Sequence, residues 1–138
     1  CGDGEMVLAE LGDDLTIKGP VRILFRASQA PWTRGFDKKN FVTDGPFLHR
    51  LKSGKLLMLW SSNGEKGYAM GMATADRIEG PWTHIPVPLI GQDGGHGMLF
   101  SKNGKLYVTY HMPNNPSGAE RPHYVEVREE NDRLVLAE

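Results

Sequence analysis

The feature that most constrains this chain is an internal repeat. The stretch from Phe47 to Trp60 lines up with that from Gly97 to Tyr110, and each copy reads as a strand, a tight turn and a second strand. Asn103-Gly104 suits a two-residue type I′ hairpin turn, because both residues tolerate positive φ, and Ser53-Gly54 occupies the matching place. The strands after the turns, Leu56 to Trp60 and Leu106 to Tyr110, are nearly continuous apolar runs. Such runs are expected of strands buried on both faces.

A second pattern follows the hairpins. Gly4 to Leu11, then Asp14, then Gly19-Pro20, matches Gly67 to Thr74, then Asp76, then Gly80-Pro81, and His123 to Val127 reads as a third copy. Gly and Pro punctuate the chain throughout, and no long 3.6-residue periodicity appears, so the class is all-β. The order of hairpin, loop, third strand and outer strand is the layout of a propeller blade. The chain starts in the second half of one unit, holds a whole unit from about Asp44 to Leu89, and ends with another from Gly94 to Leu136. The expected fold is a partial β-propeller of about two and a half to three blades, since a ring closes with at least roughly four. Its missing N-terminal blades, or another copy, would complete it. A β-sandwich or an open meander is the competing architecture.

Composition narrows the partners. With 138 residues, 39% hydrophobic and 24% charged, the chain has the profile of a globular domain with one modest core. Its apolar runs are far shorter than the roughly 20 residues of a membrane-spanning helix. Net charge is −1 with cations scattered among acidic residues, so no basic stripe marks a nucleic-acid partner. Cys1 is the single cysteine, which excludes an internal disulfide and a cysteine metal cluster. The opening Cys1-Gly2-Asp3-Gly4 reads as a fragment boundary or as the lipidated first residue of a bacterial lipoprotein.

Two motifs at blade starts stand out chemically. Asp44, in Thr43-Asp44-Gly45-Pro46-Phe47, precedes a first strand, where side chains face the central depression of a propeller; as a plain alternative it is turn material. Gly94-Gly95-His96-Gly97 holds the same place in the next unit. Its glycines permit close backbone approach, and His96 has the chemistry to accept a proton, orient a carboxylate or bind a metal. Two singular motifs at equivalent positions point to one shared site. Trp60 reads as core. Trp32 and Trp82 each follow a proline and read as packing between blades, with sugar stacking as the alternative. Glu5 reads as a solvent-facing strand residue, and His111 and His123 have no assigned chemistry.

Asp44-Gly45-Pro46-Phe47-Leu48, Gly95-His96-Gly97-Met98-Leu99-Phe100, and Tyr110-His111 followed by Glu120-Arg121-Pro122 resemble the third, fourth and fifth blade signatures of family 43 glycoside hydrolases. The ordered set is more specific than any single motif. The resemblance implies a five-bladed propeller, of which this chain is the C-terminal portion, in a secreted or periplasmic bacterial protein. It implies that Asp44 stands where the family has the general-acid glutamate of a Glu-Gly-Pro motif. Aspartate is one methylene shorter, which sets its carboxyl about 1.5 Å back, and a misplacement of about 1 Å can cost on the order of a hundredfold in rate. The resemblance further implies that His96 lies near the axis, where it contacts the acid or holds calcium through water, and that Arg121 reaches substrate hydroxyls. Phe47 belongs to the same substrate-binding set.

The function implied is hydrolysis of plant polysaccharides or oligosaccharides by an inverting acid–base mechanism, of the arabinofuranosidase or β-xylosidase type. Asp44 would donate the proton, and an aspartate outside this chain would activate water. Because of the shortened acid, a non-hydrolytic carbohydrate-binding propeller is the alternative. A purely structural interaction propeller is disfavoured by polar residues gathered at blade starts.

Overall fold

A computed structural model describes residues 3–137, so the readings made on Cys1 lie outside the described residues. Three antiparallel sheets follow one another along the chain. The first pairs β1 (Glu5–Leu11) with β2 (Ile17–Arg26), and a 3-10 turn over Ala27–Gln29 leads into an irregular crossing segment. The second is a meander of β3 (Asp44–Arg50), β4 (Leu56–Gly64), β5 (Gly67–Ala75) and β6 (Thr83–His84). The third repeats that order with β7 (Gly95–Lys102), β8 (Lys105–Met112), β9 (Arg121–Glu130) and β10 (Arg133–Leu136). The first strands of the two complete meanders, β3 and β7, lie beside each other, as innermost propeller strands do. The architecture is thus all-β, two full blades and the outer half of another. Among the described residues no helix is long and apolar enough to cross a membrane.

The two hairpins differ in a way that shifts the repeat by one residue. Asn103 and Gly104 have φ of 52° and 75°, the two-residue type I′ turn that the sequence predicts. Around Ser53, Gly54 N–H bonds Leu51 C=O at 2.9 Å, Leu51 N–H bonds Lys55 C=O at 2.9 Å, and only Gly54 takes positive φ. This is the three-residue loop with a left-handed glycine, one residue longer. Phe47 faces Leu59 while Met98 faces Thr109, so the structural counterpart of Phe47 is Met98 and not Gly97. Likewise Asp44 corresponds to Gly95, and Gly45 to His96. Both first strands carry a bulge just here, between Asp44 and Phe47 and between Gly95 and Met98, a device that re-aims side chains beside sites.

The core lies between sheets, on alternate faces of the middle blade. Leu57, Leu59, Met70 and Met72 pack against Val108, Val127 and Leu134 of the third sheet. Met58, Trp60 and Ala69 face the other way, onto Met6 and Phe25 of the first sheet and onto Trp32 of the crossing segment. This is strand alternation with both faces covered. Small residues make room for the rings: a Cβ on Gly71 would lie 2.3 Å from the Trp32 indole, whose centroid sits 4.8 Å from that of Trp60. Trp82 packs against the same cluster and donates its indole N–H to Ile78 C=O at 3.0 Å. Trp60 is therefore core, and Trp32 and Trp82 serve packing. The expectation that the strands after both turns are buried on both faces holds for β4 and fails for β8, where Val108 alone is buried. No sheet among the described residues covers the outward face of the third blade.

Candidate functional site

The bulges bring Asp44 and His96 together across the gap between two blades. Gly45 and His96 sit at equivalent places with φ of 51° and 54°. A histidine in this left-handed region is uncommon and marks a place where the surroundings impose the conformation. Its backbone N–H donates to Ser61 Oγ on β4 at 2.8 Å, and its imidazole Nδ1 lies 3.3 Å from Asp44 Oδ2. Both side chains are about half exposed.

Asp44 is held from three sides. Oδ2 accepts the Tyr68 hydroxyl at 2.8 Å and faces His96 Nδ1, while Oδ1 accepts the Gly45 N–H at 2.9 Å. Tyr68, on β5, is buried, and its ring stacks on His111 with centroids 5.5 Å apart and planes 17° from parallel. Burial, then the hydrogen bond and charge of Asp44, push the phenol far above its ordinary value, outweighing the opposing bond from Ser61. Tyr68 is therefore a standing donor to Asp44. A Cβ at Gly95 would come within 2.8 Å of Ser61 Oγ and 2.9 Å of the Tyr68 ring, so glycine is what lets β7 approach this cluster.

Asp93 secures the frame behind the cluster. Its Oδ1 accepts Tyr68 N–H at 3.3 Å, and its Oδ2 accepts Asn114 and Asn115 N–H at 3.1 and 3.0 Å. Burial acts to raise its pKa, but the backbone donors of Asn115, Tyr68 and Asn114 prevail and hold the carboxyl below its ordinary value. Through Asp93 the middle blade, the connection into β7 and the loop after β8 are tied together.

Beside His96 opens a depression of about 570 Å³, walled by Phe47, Met98, Tyr110, His111 and Arg121 among others. Arg121, at the start of β9, is exposed and rests its Nη1 on the carbonyls of Glu120 at 2.7 Å and Gly118 at 3.4 Å. It has no carboxylate partner among the ion pairs of the described residues, and it lines the depression. Phe47, His96 and Arg121 thus line one depression, whereas Asp44 adjoins it through Gly45 and His96 without lining it. Glu5 is exposed and paired with Arg26 at 2.8 Å, as its solvent-facing reading expects. His123 Nε2 donates to Met112 C=O at 3.1 Å, a structural role.

Tyr68, Ser61, Asp93 and the wall position of His111 escape sequence reasoning. Tyr68 sits in a run of small residues and reads there as an ordinary strand aromatic. Asp93 precedes Gly94 and reads as a turn. Only the pairing of blades, which the sequence does not spell out, reveals either.

Calcium does not fit the residues present. It takes six to eight oxygen ligands, whereas this spot offers one imidazole and one carboxylate whose oxygens already accept hydrogen bonds. Among the described residues no three His, Cys, Asp or Glu side chains converge.

No family model and no curated protein matches the chain. Solved structures do. An endo-arabinase from Bacteroides thetaiotaomicron VPI-5482 is 40% identical with a TM-score of 0.84, over 94% of this chain and 48% of that one. A thermostable family-43 glycoside hydrolase is 24% identical with a TM-score of 0.80, over 96% of this chain and 46% of that one. A xylan β-1,4-xylosidase from Bacillus halodurans C-125 is 24% identical with a TM-score of 0.72, over 97% and 27%. At 24% the likeness is one of fold. The chain spans about half the length of the first two.

Proposed function

We propose that this chain belongs to the family 43 glycoside hydrolases, whose fold it shares, and carries the general-acid side of a glycosidase site acting on plant polysaccharides. One observation carries the reading: Asp44 and His96, at equivalent bulges of adjacent blades, meet at 3.3 Å beside a depression lined by His96, Arg121 and Phe47. In this reading Asp44 gives its proton to the leaving glycosidic oxygen. Arg121 donates to sugar hydroxyls, and Phe47 lays an apolar face against the ring.

The second carboxylate, which activates water from the opposite side, comes from blades beyond this chain, at roughly 6.5 to 9.5 Å from Asp44 if the anomeric centre inverts. Support for further blades lies in the two outer sheet faces. Val7 and Ile23, paired on the first sheet, and Met98, Phe100 and Tyr124 on the third are all exposed. Apolar faces of this kind are the surfaces that blades bury against neighbours. The protein is then one propeller, of which residues 1–138 form the C-terminal part, and it acts outside the cytoplasm, where plant polysaccharides are met.

The likeness to an endo-arabinase favours arabinosyl linkages, with xylosyl linkages next. A non-hydrolytic carbohydrate-binding reading draws on one fact, that both oxygens of Asp44 are already engaged within the chain. Sugar release decides between them. The protein with its completing blades is expected to release reducing sugar from linear arabinan, with inverted anomeric configuration by proton NMR at early times. Saturable sugar binding without release from arabinan or xylan would support the binding reading instead.

A further inference from the structure

We propose that Tyr68 is a positioning residue for Asp44, fixing Oδ2 so that the proton given to substrate is carried on Oδ1. The inference rests on the reading of Asp44 as the acid. A side chain one methylene shorter than glutamate has to be held where its reach suffices, and the holder is visible. Tyr68 O–H donates to Oδ2 at 2.8 Å. The tyrosine is locked by its stack on His111, by the bond from its own N–H to Asp93, and by the close passage of Gly95.

Ser61 stands behind it. Ser61 Oγ accepts the His96 N–H at 2.8 Å, and its hydroxyl is the one influence acting against the raised pKa of Tyr68. One junction thus holds both bonds, from His96 N–H to Ser61 and from Tyr68 O–H to Asp44. It crosses from one blade to the next.

Chemistry then distinguishes the two oxygens. In a protonated carboxyl the carbonyl oxygen is the better acceptor, so the oxygen receiving Tyr68 and facing His96 is the carbonyl one. Oδ1, whose sole partner among the described residues is the adjacent Gly45 N–H, carries the hydroxyl proton. During cleavage that proton passes to the leaving glycosidic oxygen as the bond from the anomeric carbon to that oxygen breaks. Water bonds to the anomeric carbon and yields its proton to the carboxylate on the completing blades. Asp44 is left as a carboxylate still held by Tyr68, whose own proton never moves, and solvent reprotonates it.

The test compares Tyr68→Phe, Ser61→Ala and Asp44→Asn in the protein with its completing blades. Each is assayed on a 4-nitrophenyl glycoside, whose leaving oxygen needs little protonation, and on an oligosaccharide of the same sugar, whose leaving oxygen needs it fully. Arabinosyl and xylosyl pairs are both run. For Tyr68→Phe the expected loss is about 10- to 100-fold in kcat on the oligosaccharide and under about 3-fold on the aryl glycoside, with KM within about 2-fold. Ser61→Ala is expected to show the same split, more weakly, and decides the matter should Tyr68→Phe fail to fold. Equal losses on both leaving groups would make Tyr68 a merely structural residue and overturn the proposal. If Asp44→Asn loses turnover while Tyr68→Phe matches the wild type on the oligosaccharide, positioning is overturned and the acid reading stands. Full activity of Asp44→Asn, or hydrolysis of neither pair, would overturn both.

Discussion

The middle blade and the last blade have the same strand order and nearly the same hairpin pattern, yet they are buried differently. In β4, Leu57, Leu59 and Trp60 are fully buried, because sheets lie on both sides of it. In β8 the equivalent run keeps one covered face, and Phe100, Tyr107 and Tyr124 form an aromatic group on the other, with Phe100 and Tyr107 stacked at 5.3 Å. An apolar strand thus becomes a core strand only through its neighbours. The site follows the same rule: Asp44 and His96 belong to different blades and meet because β3 and β7 adjoin.

The comparison is broken most severely at Trp60. Trp60→Ala is expected to cost about 3–5 kcal/mol, read by chemical denaturation, since its ring fills the space between Phe25, Trp32 and His84. Next comes the junction between blades. Gly95→Ala is expected to destabilise by about 1–3 kcal/mol, because its Cβ would press on Ser61 and Tyr68.

A smaller effect depends on pH. His84, on β6, meets Phe25 edge-on at 4.7 Å, and neither ring nitrogen has a hydrogen-bond partner among the described residues. Burial pushes its pKa below the ordinary 6.5. The unfolded chain therefore binds the proton first, and stability falls as pH drops below about 6.5 until the folded imidazole also protonates. His84→Phe should flatten that part of the stability profile between pH 7.5 and 5, measured by thermal denaturation. An unchanged slope would assign it to other groups. The smallest effect belongs to the bare face: Phe100→Ala should stay within about 0.5 kcal/mol for this chain alone. A loss as large as that of Trp60→Ala would mean that this face is covered after all.

Much of this arrangement is legible in the sequence. The Asn103-Gly104 turn, the two hairpins and the third-strand segments all follow from periodicity and turn chemistry. The register at the blade starts does not. A loop one residue longer at Leu51–Lys55 and the two bulges move Phe47 from the level of Gly97 to that of Met98, and a gapless alignment cannot see them. Asp44 and His96 stand out in the sequence because Gly45-Pro46 and Gly94-Gly95 beside them are unusual, and Arg121 only through the family resemblance. Tyr68 and Asp93 do not, since their roles arise only when β5 and the connection into β7 come together.

The central claim, that Asp44 is the proton donor of a glycosidase completed by further blades, is tested most directly by one rate. Hydrolysis of linear arabinan by the protein with its completing blades is compared with that of its Asp44→Asn variant, folding being checked by thermal denaturation. The expected result is measurable release by the parent and a loss of about a hundredfold or more in the variant. Equal release by a folded variant would contradict the claim and place the acid elsewhere.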